Sequence, residues 1–155
     1  MFLLATSSLP AKAEINPLLL SEYPDLDGKS QLLSQWQGKF LFINFWASWC
    51  LPCLREIPEF AGFQKEKGGE GVQVIGVALD DPRRLATTVR TLGINYPVLI
   101  VPPSKTREIL SEWGDLRAVL PFTAVFNAEG RMILRHTGPL DRDALDAYLD
   151  EVRNR

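Results

Sequence analysis

The chain has 155 residues, 46% of them hydrophobic, which fits one domain able to bury most of the surface its unfolded form exposes. Seventeen basic and 19 acidic residues leave a net charge of −2, with no basic stripe to track a phosphate backbone, which excludes nucleic acid as a partner. No apolar run approaches the roughly 18 residues a membrane-spanning helix needs, so the folded domain is not expected to cross a bilayer.

At the amino terminus a short apolar run precedes Ala11-Lys12-Ala13, an Ala-x-Ala cleavage pattern. Residues 1–13 therefore read as a signal-peptide remnant or a disordered terminus, and 14–155 as the domain. Leu18-Leu19-Leu20, Tyr23 and Leu26 lead into the turn dipeptide Asp27-Gly28, which suggests a small hairpin. A short amphipathic turn around Leu32, Leu33 and Trp36 follows. Gly38-Lys39 then opens the run Phe40 to Trp46, whose nearly continuous apolar character marks a strand covered on both faces.

From Leu51 to about Lys67, Leu54, Ile57, Phe60, Ala61 and Phe63 recur at helical spacing, with Gly68-Gly69 as the stop. Val72 to Leu79 reads as a second buried strand, and Pro82 opens a helix to about Leu92. Tyr96 to Val101 gives a third strand and Thr106 to Trp113 a short helix. Phe122–Phe126 and Met132–His136 flank Asn127-Ala128-Glu129-Gly130 as an antiparallel hairpin, and Asp141 caps a final helix through Leu145, Tyr148, Leu149 and Val152. This order predicts an α/β fold: a mixed central sheet with helices on both faces and an amino-terminal hairpin.

The only two cysteines, Cys50 and Cys53, lie three positions apart. A bond closing so short a loop gains little chain entropy, so the pair points to redox chemistry rather than stapling. A thiol must ionise to attack a disulfide, and an ordinary cysteine with a pKa of about 8.5 is mostly protonated at neutral pH. Cys50 falls between the strand ending near Trp46 and the helix beginning near Leu51, where free N–H groups and the helix dipole favour a thiolate. Cys50 is thus the candidate nucleophile. Cys53, one turn on, is the candidate resolving thiol. Pro52 suits an early helical position, where its missing amide hydrogen would have had no partner. Zinc usually takes four ligands, and two cysteines with the distant His136 do not supply them, so no metal or other cofactor is expected.

The segment Asn44-Phe45-Trp46-Ala47-Ser48-Trp49-Cys50-Leu51-Pro52-Cys53-Leu54-Arg55-Glu56-Ile57-Pro58 resembles the signature of the TlpA/ResA-like thioredoxin family, extracytoplasmic thiol:disulfide oxidoreductases related to CcmG and DsbE. Gly38-Lys39, Tyr96-Pro97-Val98, Leu120-Pro121-Phe122-Thr123 and Asn127-Ala128-Glu129-Gly130 extend the resemblance over most of residues 24–150. It implies a thioredoxin-like fold and a cis bond between Leu120 and Pro121, a loop set against the sulfurs that offers backbone groups to a substrate chain. It also implies a partly buried Glu56 that assists proton transfer. On physical grounds alone Glu56 could equally be a surface acid in the first turns of a helix. Trp49, beside Cys50, with Leu51, Pro52, Leu120 and Pro121, makes the expected substrate-docking surface, whereas Trp46, Trp36 and Trp113 are assigned to packing and His136 to a structural strand position. Phe122 stands where the family commonly has a smaller or polar residue, which is expected to alter the substrate groove.

The resemblance implies a reductase of protein disulfides in the cell envelope, cytochrome c maturation being one setting. Its partners would be disulfide-containing protein substrates and a membrane thiol electron donor; the protein would be a monomer in the periplasm, or tethered to the membrane through a longer amino terminus. The competing functions are a disulfide oxidase or isomerase using the same residues, a thiol peroxidase, and a metal chaperone. Peroxidase chemistry normally shows Thr-x-x-Cys, whereas Ala47 stands three before Cys50, and the chaperone lacks soft ligands beyond the two cysteines.

Overall fold

The structure, a computed structural model, describes residues 14–155, so the leader reading of residues 1–13 lies outside the described residues. Among the described residues there are seven strands, β1 (Glu22–Pro24), β2 (Ser30–Leu32), β3 (Phe40–Trp46), β4 (Val72–Leu79), β5 (Val98–Val101), β6 (Phe122–Phe126) and β7 (Met132–Thr137), and four α-helices, α1 (Leu51–Lys67), α2 (Pro82–Thr91), α3 (Thr106–Glu112) and α4 (Arg142–Arg153). A five-stranded sheet has the order β5-β4-β3-β6-β7; β3, β4 and β5 are parallel, while β6 and β7 run antiparallel to their neighbours. This mixed sheet with helices on both faces is the predicted thioredoxin-like architecture. The β1–β2 hairpin turns at Asp27-Gly28, with Gly28 at φ +79°, and touches the main sheet through an antiparallel bridge from Asp25 to Leu99.

Strand alternation in β3 sets the layers. Leu41, Ile43 and Phe45 join Trp113, Leu110, Phe122, Ala124 and Phe126 on the face covered by α3 and the amino-terminal segment. Phe42 points the other way, into Phe60 and Phe63 of α1 and Leu145, Leu149 and Val152 of α4. Trp46 shares that second face with Ile57 of α1 and Leu85 of α2. Each such fully buried aromatic or aliphatic side chain stabilises the fold by roughly 1.5–3 kcal/mol. Gly76 lies beside Asn44 in register, and its lack of a side chain is used: a Cβ there would stand 3.0 Å from Trp46 Nε1 and 3.2 Å from a Tyr96 ring carbon.

Some boundaries differ from the sequence expectation. Leu18-Leu19-Leu20 belong to a 3-10 turn, Pro17–Leu20, capped by Asn16, rather than to the hairpin. α1 does end at Gly68, its C-cap, but the chain runs on from there through a 3-10 turn, Gly68–Glu70, and Gly71, at φ +85°, makes the reversal into β4. The third strand begins at Val98, not Tyr96, and Pro97 contributes only its carbonyl, accepting from the Gly76 N–H at 2.9 Å. Phe122 does not line a groove beside the cysteines. It is buried on the α3 face, 5.8 Å from the Phe45 ring, because β6 alternation sends Thr123 rather than Phe122 toward α1.

Candidate active site

Central strand β3 ends at Trp46, and residues 47–50 turn the chain into α1. The Cys50 N–H donates to the Ala47 carbonyl at 3.1 Å, closing that turn. Ser48, in the middle, donates its N–H at 2.7 Å and its hydroxyl to one carboxylate oxygen of Asp80, a buried acid at the end of β4. The other Asp80 oxygen accepts from the Asp81 N–H at 2.7 Å. Two adjacent parallel strands are thereby tied together at the height of the cysteines.

Cys50 is the N-cap of α1, and its sulfur accepts from the Cys53 N–H at 3.3 Å. The first turn of a helix leaves N–H groups without intrahelical partners, so this sulfur sits where negative charge is favoured. Leu51 and Pro52 fill the opening helical positions, where proline costs no hydrogen bond. Cys50 and Cys53 form a disulfide, their Cα atoms 5.3 Å apart. Cys50 keeps 5% of its surface and Cys53 none, so Cys50 is the side from which a partner can approach.

One turn beyond Cys53, Glu56 is only 2% exposed. It is therefore not a surface acid. Asn44 Nδ2 donates to its Oε1 at 2.6 Å, and the Leu140 N–H donates to its Oε2 at 2.9 Å. Burial pushes the carboxyl up to about 7, against the opposing pull of these two donors. A cleft of about 270 Å³, bounded by Arg55, Glu59, Pro139, Leu140 and Asp141, opens onto it, giving a proton on Glu56 a way to solvent. The buried Tyr96 hydroxyl is held protonated by its burial and by the charge of Glu56.

The Leu120–Pro121 bond is cis. Phe122 pairs with Phe45, so Pro121 arrives at the carboxyl end of β3, where the cysteine turn begins. Pro121 is buried, and half-buried Leu120 packs against the cluster that contains both cysteines. Trp49 and Leu51 project into solvent, 62% and 60% exposed, and Pro52 is exposed between the cysteines. The fold thus gathers Cys50, Cys53, Glu56, Trp49, Leu51, Pro52, Leu120 and Pro121 at one end of the sheet. His136 lies apart on β7, its Nδ1 2.8 Å from the Tyr148 hydroxyl.

Sequence reasoning missed Asn44, Thr123, Ser48 and Asp80. Asn44 carried a signal: it is the one polar residue in the apolar run Phe40–Trp46, and a polar group buried in a central strand must have partners. Its Nδ2 also lies 3.2 Å from Thr123 Oγ1. Nothing local marks Asp80, whose partner is 32 residues away.

A dithiol poised at a helix start, with a buried acid one turn behind it, can exchange a disulfide with another molecule. The AhpC/TSA family profile matches residues 16–135. The thiol-disulfide oxidoreductase ResA of Bacillus subtilis is 29% identical over 130 residues, covering 83% of this chain and 70% of that protein. A thiol:disulfide interchange protein of the thioredoxin family from Chlorobium tepidum superposes with a TM-score of 0.74 at 26% identity, over 85% of this chain and 92% of that one. The exposed lipoprotein thioredoxin of Streptococcus pneumoniae gives a TM-score of 0.65 at 30% identity, over 84% and 98%. With its disulfide-linked Cys50-Leu51-Pro52-Cys53 segment and these relatives, the chain belongs to the AhpC/TSA family and is a thioredoxin-fold thiol:disulfide oxidoreductase.

Proposed function

We propose that the protein works as a reductase of protein disulfides outside the cytoplasm, with Cys50 as nucleophile, Cys53 as resolving thiol and Glu56 as the proton acceptor that readies Cys53. The Cys50 thiolate attacks one sulfur of the substrate disulfide, and the other substrate sulfur leaves as a thiolate. Glu56, ionised at a pH near its own value of about 7, takes the Cys53 proton. The Cys53 thiolate then attacks Cys50 Sγ and breaks the mixed disulfide, releasing the substrate sulfur bound there as a thiolate, which leaves the substrate reduced and Cys50–Cys53 as the disulfide. A thiol donor at the membrane returns two electrons and two protons to close the cycle. Trp49, Leu51, Pro52, Leu120 and Pro121 dock the substrate chain.

The observation that carries this reading is a disulfide capping α1 with a buried, proton-holding carboxyl one turn behind it. The envelope setting draws on the lipoprotein named among the similar structures and on the Ala-x-Ala pattern at residues 11–13. Among the described residues no helix is long and apolar enough to cross a membrane. Trapping tests the roles: Cys53→Ser should hold its partner as a mixed disulfide through Cys50, and a trap that survives Cys50→Ser would overturn them. Equilibration with glutathione tests the direction, because a potential far more oxidising than about −200 mV is that of an oxidase.

The family profile favours one second reading, a thiol peroxidase. Against it, Ala47 is buried three residues before Cys50 and offers no hydroxyl to a peroxide. Turnover with hydrogen peroxide at a rate comparable to disulfide exchange would reverse this choice.

A further inference from the structure

Reducing the disulfide removes the covalent link between Cys50 and α1, and the sulfur then keeps its place only as well as its backbone does. Cys50 caps α1 at φ −92° and ψ 101°, a conformation set up by the turn before it, in which the Cys50 N–H reaches the Ala47 carbonyl. In that turn Ala47 is buried and apolar, and the Trp49 side chain stands in solvent. Ser48 is the turn residue that ties it to the neighbouring strand. Both of its donors, the N–H and the hydroxyl, meet the same carboxylate oxygen of Asp80.

Asp80 is the fixed end of this tie. Its own N–H donates to the Val101 carbonyl at 3.1 Å, which anchors its backbone to β5, and its second carboxylate oxygen accepts from the Asp81 N–H at 2.7 Å. Asp81 in turn caps α2, accepting from the Arg83 N–H at 2.9 Å. One carboxylate thus joins the starts of two helices, α1 through Ser48 and α2 through Asp81. A carboxyl only 1% exposed is costly unless its oxygens are met, and here three donors converge on the two of them. While the disulfide is closed, the bond from Cys50 to Cys53 itself fixes the turn to α1, so the tie matters most in the dithiol.

We propose that Asp80, acting through Ser48, is a positioning residue for the exchange reaction: it keeps the sulfur of reduced Cys50 at the start of α1, where the Cys53 N–H and the helix dipole favour a thiolate. The inference rests on Cys50 being the nucleophile. Loosening the turn lets the sulfur leave those N–H groups, so the reduced protein loses thiolate while the oxidised protein, whose bond stays closed, loses less. The tie therefore speeds attack on a substrate disulfide and shifts the redox balance toward the dithiol.

The test compares Ser48→Ala, which removes the hydroxyl and leaves the N–H, with Ser48→Thr, which restores a hydroxyl, and with Asp80→Ala, which removes both bonds. Ser48 is half-buried, so its variants leave the core untouched. Alkylation of Cys50 by iodoacetamide is followed against pH in a Cys53→Ser background, where it is the only thiol. Below the midpoint of that profile Ser48→Ala should react about threefold more slowly than the parent, the size of a helix-terminus interaction, and its profile should move to higher pH. Ser48→Thr should match the parent, and Asp80→Ala should show the larger change in the same direction. With both cysteines present, Ser48→Ala equilibrated with glutathione should favour the dithiol about threefold less, a potential about 14 mV lower. A profile unchanged in Ser48→Ala overturns the proposal. So does a profile moved to lower pH in Asp80→Ala, the mark of a carboxylate that repels the thiolate rather than places it. Equal losses of urea stability in the oxidised and reduced forms, with the potential unmoved, would make the tie structural only. If Cys50→Ser goes on exchanging disulfides, the choice of nucleophile fails instead, whatever the Ser48 variants show.

Discussion

Glu56 concentrates the site's pH behaviour in one carboxyl. Its folded value of about 7 lies above the unfolded value of 4.5, because burial disfavours the charge more than the Leu140 N–H and Asn44 Nδ2 can offset. The raised value means that the folded protein binds a proton the unfolded chain has released. The corresponding stability is fully present below pH 4.5 and is lost as pH rises through 7, a change of about 3 kcal/mol at 1.36 kcal/mol per unit. Glu56→Gln keeps the shape and removes the titration, so relative to the parent it should gain about 3 kcal/mol between pH 4.5 and pH 8 in urea unfolding. An unchanged difference between the two pH values would refute the burial argument. The same variant should lose the inflection near pH 7 in the rate at which Cys53 resolves a mixed disulfide. Asn44→Leu acts in the opposite sense: without the 2.6 Å donor the Glu56 value rises further, and the inflection moves to higher pH. Its stability cost should be about 1–3 kcal/mol, the usual penalty for stranding a buried acceptor.

At the scale of elements, the site is one strand end, one helix start and two loops. The strand and helix were legible in the sequence because each announces itself locally. Phe40–Trp46 is apolar at strand length, and Leu51–Lys67 repeats at helical spacing behind two cysteines and a proline. The loops were not legible in the same way. Leu140 reaches Glu56 across 84 residues, and Ser48 reaches Asp80 across 32, so neither bond leaves a trace in any window of sequence. Phe122 shows the converse: a residue expected from family pattern to alter the substrate groove is turned into the core because strand parity decides its side. The Leu140 loop is held in turn by α4. Asp141 caps that helix, accepting from the Ala144 N–H at 2.9 Å, immediately after the N–H that serves Glu56. Asp141→Ala should therefore cost about 1 kcal/mol in stability, as lost caps do. It should also shift the resolving step's inflection upward as the Leu140 donor loosens. A stability loss with the inflection fixed would mean that the cap and the carboxyl are independent.

Across the whole molecule, redox direction becomes a question of which form the fold prefers. The sheet order places β3 at the centre, and the disulfide caps the helix that follows it, so changes at the sulfurs are felt by the core. Closing a loop of three-residue separation contributes only about 2 kcal/mol through chain entropy, which sets the scale for an indifferent fold. Two features favour the oxidised form beyond that. Cys53 is wholly buried and Cys50 nearly so, and an ionised thiol there must give up its hydration. Glu56, once charged, repels a thiolate at Cys53 from one turn away. The Cys53 N–H and the dipole of α1 oppose these effects at Cys50 alone. A protein that gives its electrons to substrates must be more stable with its own disulfide formed, each 1.4 kcal/mol of that preference lowering its potential by about 30 mV. Urea unfolding of the oxidised and the fully reduced protein should therefore show the oxidised form unfolding at higher denaturant by more than the 2 kcal/mol of chain entropy. If the reduced form is the more stable one, the electrons run the other way, and the same residues make an oxidase.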